Sequence, residues 1–390
     1  MSTKKTILYS FMILIMGAIV VFLIFMTEPK AEREGATKET AMLVEVTEVE
    51  KGDFFPVFEV TGTVKPAKDI ILSPRVSGEV IDISDRFMPG GFFRKGEVIL
   101  QIDTADYKNI LELRKSELMS AQSDLKIEMG RQKVAEKDYQ LFDGELAEEE
   151  MSLILRQPQL EAIKAKVKAA QADLDQAELE LKRTTLKAPF DLHVISRNVN
   201  IGSQVSPGED LGRLVGINNY WIITTIDLLK VRWLEFPEKE YEKGSEVIFR
   251  NRTAWKEGEF RSGYLFRLIG ALEGKTRLAK VIVNVPDPLL LSDTSDLPRL
   301  IVDEFVQVKI TGREIKNVFR VKRDFIRENN TIWIMKSGKL DIRKPEVLLK
   351  DAKYAYITEG LEDKEKIVIT NLSSVTQGAK LRLGNDSKNK

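Results

Sequence analysis

Cysteine is absent from all 390 residues, and histidine occurs once. Without cysteine the chain has no disulfide, no thiolate metal site and no cysteine nucleophile. A lipidated cysteine is excluded as well, so any membrane anchor must be the polypeptide itself. Lysine plus arginine (60) equals aspartate plus glutamate (60), which removes the overall electrostatic argument for binding nucleic acid.

Catalytic motifs are also missing from the sequence. It contains no Gly-x-Ser-x-Gly elbow, no phosphate-binding loop, no His-Glu-x-x-His and no dinucleotide fingerprint. His193 lies on a predicted strand, where a histidine is more often a packing or surface residue than a metal ligand. The acidic run Glu148 to Glu150 favours a helix start over a cation site. The sequence therefore predicts a protein that is not an enzyme and has no metal site.

Only one long apolar run is present, Ile7 to Met26. A helix of about 20 residues spans the roughly 30 Å of a bilayer core. Lys4 and Lys5 precede the run, which places the amino terminus in the cytoplasm by the positive-inside rule. A cleaved signal peptide is the alternative, but Ile24 to Thr27 offers no small-x-small cleavage site. We expect a single-pass anchor in the inner membrane, with the bulk of the chain in the periplasm.

Residues 103–185 are predicted to form one long helical hairpin. Asp103 is the predicted N-cap, and Gly144 can end the first helix in a left-handed C-cap. Pro158 removes a backbone hydrogen bond, so we predict a kink or break near Arg156 to Pro158, either a tolerated bend or a functional hinge. The predicted stripes are Tyr107, Leu111, Leu118, Ala121, Leu125, Ala135, Tyr139 and Phe142, interrupted by Arg114, Glu128 and Gln132, and then Leu160, Ile163, Val167, Ala170, Leu174, Ala177 and Leu181.

Short glycine-punctuated strands flank this hairpin on both sides. The segments 96–102 and 208–214 share the pattern Gly-Glu-x-aliphatic-x-x-aliphatic, although more than a hundred residues separate them. Such strands indicate small sandwiches or barrels. Turns of the sandwich are predicted at Gly78, Gly96, Gly202 and Gly208. The sequence thus predicts a β-domain in two matching halves with a helical hairpin inserted between them.

Several motifs in this order resemble a known family. They are Gly62-Thr63-Val64, Pro74-x-Val76-Ser77-Gly78-x-Val80, Lys95-Gly96-Glu97, Leu181-x-Arg183-Thr184-x-Leu186-x-Ala188-Pro189-Phe190-Asp191, Gly202-x-x-Val205, Gly274-Lys275-Thr276-Arg277 and Glu359-Gly360-Leu361. Together they resemble the periplasmic adaptor subunits of tripartite efflux pumps, also called membrane fusion proteins. The resemblance extends from about Val44 to Leu381.

The resemblance implies a mainly β fold with a long α-helical hairpin behind an N-terminal transmembrane helix. Its domains are a lipoyl-like β-sandwich split by the hairpin, a β-barrel and a membrane-proximal β-domain. The predicted boundaries are 1–26 for the cytoplasmic stub and anchor, 27–41 for a flexible linker, 42–56 and 311–384 for the membrane-proximal domain, 57–69 and 216–310 for the barrel, 70–102 and 186–215 for the lipoyl-like domain, and 103–185 for the hairpin.

The partners that the resemblance implies are an inner-membrane efflux transporter and an outer-membrane channel. The transporter is expected to be of the resistance-nodulation-division type, with an ATP-driven exporter or type I secretion system as the alternative. A ring of adaptor copies, commonly six, is implied too, and the outer faces of its helices would be interfaces. A non-transport envelope scaffold is the hypothesis from a different class. No covalent cofactor is expected, because the hairpin replaces the turn on which lipoyl and biotinyl carriers hold their lysine.

Channel docking is expected at the hairpin tip, Phe142, Asp143, Gly144, Glu145 and Leu146. Two stretches depart from the family pattern. Lys137 and Glu148 stand where the family often has arginine and serine. Leu192 and His193 follow Ala-Pro-Phe-Asp, where the family usually has glycine. The docking expectation therefore depends on architecture and not on a matching contact motif.

Overall fold

In the computed structural model, the described residues are 3–27, 41–141, 147–239, 242–272, 277–292, 296–372 and 375–384. The chain divides into two compact units. One is Phe55–Glu314, and the other is Met1–Phe54 together with Ile315–Lys390. The predicted tip residues Phe142 to Leu146 lie outside the described residues.

Five helices are found in the described parts of the chain. They are α1 (Thr3–Met26), α2 (Ala105–Gln140), α3 (Glu148–Ile154), α4 (Gln157–Arg183) and α5 (Leu228–Val231).

The described strands are short, as the glycine punctuation predicts. They are β1 (Met42–Val44), β2 (Val46–Glu48), β3 (Lys51–Phe54), β4 (Val57–Pro66), β5 (Asp69–Leu72), β6 (Gly78–Ile83), β7 (Phe92–Phe93), β8 (Val98–Ile102), β9 (Thr185–Lys187), β10 (Leu192–Arg197), β11 (Gln204–Val205), β12 (Gly212–Gly216), β13 (Asn219–Ile226), β14 (Glu246–Arg250), β15 (Arg261–Leu272), β16 (Ala279–Pro286), β17 (Phe305–Thr311), β18 (Ile315–Lys322), β19 (Ile326–Arg327), β20 (Thr331–Lys336), β21 (Lys339–Arg343), β22 (Glu346–Lys350), β23 (Tyr354–Glu359), β24 (Lys366–Val368) and β25 (Leu381–Leu383).

A closed six-stranded antiparallel barrel forms in the order β13-β16-β15-β14-β17-β4. Alternate residues point inward, as a barrel requires, and Val281, Val283 and Val285 of β16 are fully buried. A Cβ atom at Gly62 would lie 2.6 Å from Cγ2 of Ile222, so β4 and β13 approach closely only because residue 62 has no side chain. The barrel confirms the predicted fold class.

The lipoyl-like sandwich consists of two four-stranded sheets, β5-β12-β10-β7 and β11-β6-β8-β9. Each sheet takes two strands from before the hairpin and two from after it, so the halves fold only together. Their shared core includes the buried side chains of Val80, Ile99, Leu192 and Leu214. This interleaving confirms the predicted two-half architecture.

The repeated Gly-Glu motif forms the same turn in both halves. Gly96 and Gly208 adopt φ values of 88° and 87°, in the left-handed region that favours glycine. The carboxylate of Glu97 accepts a hydrogen bond from the backbone N–H three residues earlier at 2.8 Å, and that of Glu209 does the same at 2.9 Å. The sequence repeat is therefore a repeat in three dimensions.

The remaining β-domain contains both ends of the folded chain. Its sheets are β22-β23-β18-β3 and β19-β20-β24-β2, with β21 on β20, and β1 pairs with β25 in parallel. Two of its strands, β1 and β2, follow each other closely along the chain. The strands separate at Glu45, whose backbone N–H donates to the hydroxyl of Thr370 at 2.8 Å.

Candidate functional site

The hairpin's second arm presents one apolar face to its first arm. The seven α4 residues predicted to share a stripe are all buried or half-buried, whereas nearly every other residue between Leu160 and Leu181 is exposed. Spacings of three and four place these residues on one side of a helix. The prediction of an antiparallel packed seam between α2 and α4 is confirmed.

The first arm contributes a mixed face to this seam. Leu118 and Ala121 are buried, and the polar interruptions Arg114, Glu128 and Gln132 lie on the same side, at least half-buried. Glu128 is only 2% exposed, although a carboxylate is costly to bury without a partner.

The predicted break in the hairpin is present in its second arm. This arm consists of α3 and α4, which are separated at Leu155 and Arg156. Arg156 has a left-handed backbone (φ 58°), which non-glycine residues rarely adopt. Pro158 is the second residue of α4. A backbone N–H at this position would have no acceptor within the helix, so proline loses no hydrogen bond there. The break lies where the sequence predicted it, and Pro158 starts a helix rather than bending one.

A buried ion pair accompanies the break. The Arg156 guanidinium Nε donates to Glu128 Oε1 at 2.5 Å, and Nη1 of Arg131 lies 3.5 Å from Glu128 Oε2. The hydrogen bond from Arg156 holds the pKa of the Glu128 carboxyl below its ordinary value, although desolvation opposes the shift. The sequence indicated a polar residue in the stripe at 128 but not its partner, because the register of α2 against α4 is not visible in either helix alone.

The base of the hairpin is attached to the sandwich by one glutamine. Gln101, near the end of β8, donates from Nε2 to the hydroxyl of Thr184 at 3.0 Å and accepts through Oε1 from the hydroxyl of Thr185 at 2.6 Å. Tyr107 of α2 donates from its hydroxyl to the backbone carbonyl of Ser77 at 2.7 Å. Both arms are thus joined by side chains to the sandwich core. Sequence reasoning identified the two threonines at the base but missed Gln101.

The predicted N-cap is displaced by one residue. Thr104 is the N-cap of α2 and makes no side-chain capping bond. The Asp103 carboxylate nevertheless accepts from the backbone N–H of Ala105 at 2.9 Å. Asp103 therefore satisfies a helix-start donor from just outside the helix.

Comparison with known proteins finds relatives and solved structures that match most of the chain. No family model matches the sequence. The multidrug resistance protein MdtA of Photorhabdus laumondii is 22% identical over 343 residues, which cover 84% of this chain and 79% of the relative. The crystal structure of MacA from Actinobacillus actinomycetemcomitans matches with a TM-score of 0.56 at 18% identity, over 83% of this chain and 99% of that chain. A MacA-MexA chimera containing the Pseudomonas aeruginosa MexA α-hairpin domain matches with a TM-score of 0.58 at 17% identity, over 83% and 100%.

The chain is therefore similar to multidrug resistance proteins over most of its length, and it shares the fold of MacA. The sequence similarity covers most of both chains.

The four turn glycines predicted for the sandwich all have positive φ values. Gly78 has 150°, Gly96 88°, Gly202 84° and Gly208 87°. The backbone at Gly78 also lies close to the side chain of Ile102, because a Cβ atom at residue 78 would lie 2.6 Å from Cγ2 of Ile102. A side chain at residue 78 would therefore press on β8, the strand that leads into the hairpin.

The hairpin has exposed apolar residues in two places. One set lies near its far end, and the other runs along one side of α2. Leu141, which ends α2, is 85% exposed, and Leu153 of α3 is 60% exposed. Farther down α2, Leu113, Ile127 and Val134 are exposed at spacings that are multiples of seven. Residues seven apart lie on one line of a helix, and this line is on the side away from the seam.

His193 is a packing residue, as the sequence predicts. It lies on β10, where its ring stacks on that of Phe92 with 5.5 Å between centroids. Burial lowers the pKa of His193, so the ring is neutral at neutral pH. Among the described residues, no three histidine or acidic side chains are grouped so that they could hold a metal ion.

Proposed function

We propose that this chain is a periplasmic adaptor of the membrane fusion protein type, which is anchored in the inner membrane and links an efflux transporter there to an outer-membrane channel, for the export of small molecules. The transporter is of the resistance-nodulation-division type. Relatives named for multidrug resistance support the export of small molecules. No catalytic step is assigned to the chain.

One observation carries the proposal. A hairpin whose first arm alone has 36 residues, or about 54 Å of helix, is inserted between neighbouring strands of a packed β-sandwich. Gln101 joins the two threonines at its base, so the hairpin cannot rotate freely against the sandwich. A long helix pair on a rigid base suits a protein that bridges a gap between membranes.

The anchor is α1. Residues Thr6–Met26 are long and apolar enough to cross a membrane by length and composition. We propose that this helix crosses the inner membrane once, with the following domains in the periplasm. The side chains of Ile7 to Met26 are exposed, as expected of a helix whose partner is lipid.

The tip, Phe142 to Leu146, is the proposed docking point for the channel. The exposed Leu141 and Leu153 flank it in the described part of the hairpin. Several copies of the chain, six in our proposal, form a ring in which the hairpins pack side by side. The transporter contacts the membrane-proximal and barrel domains.

The experiment is complementation of a deletion strain, read as drug susceptibility and as co-purification. We expect the wild-type chain to restore resistance and to co-purify a transporter and a channel. The double variant Phe142→Ala, Leu146→Ala should raise susceptibility at least several-fold and lose the channel while it retains the transporter. The matched control is Lys164→Ala, Lys168→Ala on the exposed face of α4, which should behave as wild type.

Two results would contradict the proposal. Unchanged susceptibility after deletion, together with a damaged envelope, would favour a structural scaffold. Co-purification of an ATP-driven exporter would retain the adaptor function but replace the transporter class.

A further inference from the structure

A face of the β1–β25 domain has an unusual concentration of cations. Lys336 and Lys339 are cross-strand partners that close the β20–β21 turn, and Lys339 is bridged to Lys380. Arg382 follows two residues after Lys380 on the same side, and its partner across the parallel pair is Leu43. We call Lys336, Lys339, Lys380, Arg382 and Leu43 the basic face.

The register shows that these five side chains share one side of the sheet. Each is exposed, and the residues that alternate with them, Leu340, Leu381 and Val44, are buried in one apolar cluster. A strand places successive side chains on opposite sides, so a buried neighbour on both strands fixes the outward direction of the basic face. Leu43 is 55% exposed in this setting.

The carboxylate that follows the turn is already engaged. Asp341 accepts from the Arg343 guanidinium at 2.7 Å and from the Gln377 amide at 2.9 Å. Its charge is therefore shared among several donors, one of which is a cation outside the basic face. The four cations of the basic face therefore outnumber this one carboxylate, which is shared with Arg343 and Gln377.

The basic face also lies at a particular point along the chain. Fifteen residues, 27–41, separate Met26, where the apolar helix ends, from Met42, where β1 starts. Sixteen residue steps span at most about 55 Å even when fully extended. Along the chain β1 is therefore the first described strand after α1, and it lies within that distance of the end of the helix. The intervening residues 27–41 contain four acidic and three basic residues, so a positive surface at this point comes from the fold.

We propose that the basic face binds the anionic lipid surface of the bilayer in which α1 is inserted, a step that rests on the proposed anchor. Lysine and arginine near an anionic bilayer are attracted to its headgroups. An exposed leucine among them can enter the boundary between headgroups and acyl chains. The contact fixes which way the β-domain faces relative to the membrane, and it does not depend on the transporter.

The test uses the full chain in lipid nanodiscs. Because the protein has no cysteine, Ser337→Cys in the β20–β21 turn provides one attachment point for a fluorophore. Quenching by a nitroxide on the lipid headgroup then reports contact. We expect quenching in nanodiscs that contain anionic phospholipid, and much less in purely zwitterionic ones or at high salt.

The decisive variant is Lys336→Gln, Lys339→Gln, Lys380→Gln. Each cation contributes about fivefold to lipid partitioning, so the ratio of docked to undocked domain should fall about 100-fold. The matched control, Lys344→Gln, Lys353→Gln, Lys364→Gln, removes the same charge from other exposed positions of the domain. This control should leave the quenching unchanged.

The outcomes separate the inference from the proposed anchor. Alkaline extraction of the labelled chain reports whether α1 is inserted in the bilayer, and this result does not depend on whether the basic face binds lipid. An inserted chain whose quenching is absent, or is insensitive to lipid charge and to the triple variant, overturns the inference and leaves the anchor intact. Quenching that appears only after a transporter is added would assign the face to a protein partner instead. A chain released by alkali refutes the anchor, and the inference with it.

Discussion

At the scale of single residues, Glu128 shows how the hairpin combines packing with specificity. A carboxylate in an apolar seam is tolerated only where a cation meets it, and Arg156 supplies that cation from the other arm. A buried polar pair at one point of a helical seam favours one register over others. The pair therefore fixes where the break in the second arm lies relative to α2.

Replacing Glu128 should weaken the hairpin in a pH-dependent way. The pKa of Glu128 lies below its ordinary value of 4.5, so its stabilising effect is complete above about pH 4.5 and is lost as the pH falls through the lower folded value. We expect Glu128→Gln to lower the melting temperature at neutral pH, and the difference from wild type to shrink below pH 4.5. Thermal unfolding followed by circular dichroism measures both.

The control for this variant is Glu161→Gln. Glu161 also pairs with a cation, Lys164 at 2.7 Å, but both side chains are largely exposed. Exposed pairs contribute little, so this variant should melt close to wild type. Equal shifts for the two variants would refute the special role of the buried pair.

Gln101 should be the side chain that fixes the hairpin to the sandwich. Thr184 is fully buried, and its hydroxyl loses a donor in Gln101→Ala. The variant removes two hydrogen bonds, to Thr184 and to Thr185, each worth about 0.5–1.5 kcal/mol, so the free energy of unfolding should fall by about 1–3 kcal/mol in denaturant titrations. Gln176→Ala removes a glutamine whose hydrogen bond to Glu180 is exposed, and it should change stability by less than about 0.5 kcal/mol.

At the scale of elements, the seam between α2 and α4 is held together by a few buried side chains. Leu174 is 9% exposed within it, whereas Leu179 is 41% exposed on the other side of the same helix. We expect Leu174→Ala to lower the free energy of unfolding by about 2–4 kcal/mol. Leu179→Ala should lower it by well under half of that, because only the first variant opens a cavity. A similar loss for both in chemical denaturation would contradict the assignment of faces.

Patterns within one element were predictable, and contacts between elements were not. The α4 stripe and the Gly96 and Gly208 turns follow from local spacing and from the conformational freedom of glycine. The pairing of Glu128 with Arg156 depends on how far α2 has slid along α4, which neither sequence pattern contains.

At the scale of the whole molecule, strand pairings are nested around the hairpin. From the outside inward, β1 pairs with β25, β2 with β24, β3 with β18, β4 with β17, β5 with β12, β6 with β11 and β8 with β9. Each β-domain is thus closed by chain that returns from the hairpin. The strands that close each β-domain follow the second arm of the hairpin in the sequence. No β-domain can therefore close before that arm has been synthesised.

The outer line of α2 should be a contact between copies of the chain in the proposed ring. Ile127 and Val134 are 54% and 59% exposed on the side away from the seam, so the isolated hairpin gains nothing from them. We expect Ile127→Asp, Val134→Asp to shift the solubilised protein toward the monomer in analytical ultracentrifugation and to raise drug susceptibility. Its melting temperature as a monomer should stay near wild type.

The control for the ring contact is Lys126→Asp, Lys133→Asp. These residues are exposed on the other flank of α2 with the same spacing of seven, and their replacement changes the charge even more. By heptad geometry, the line of Ile127 and Val134 and the line of Lys126 and Lys133 each lie about 130° around the helix from the seam, on opposite sides. Loss of assembly in the first variant alone assigns the interface to the apolar line. Equal loss in both would mean that added acidic charge, and not a lost apolar contact, separates the copies.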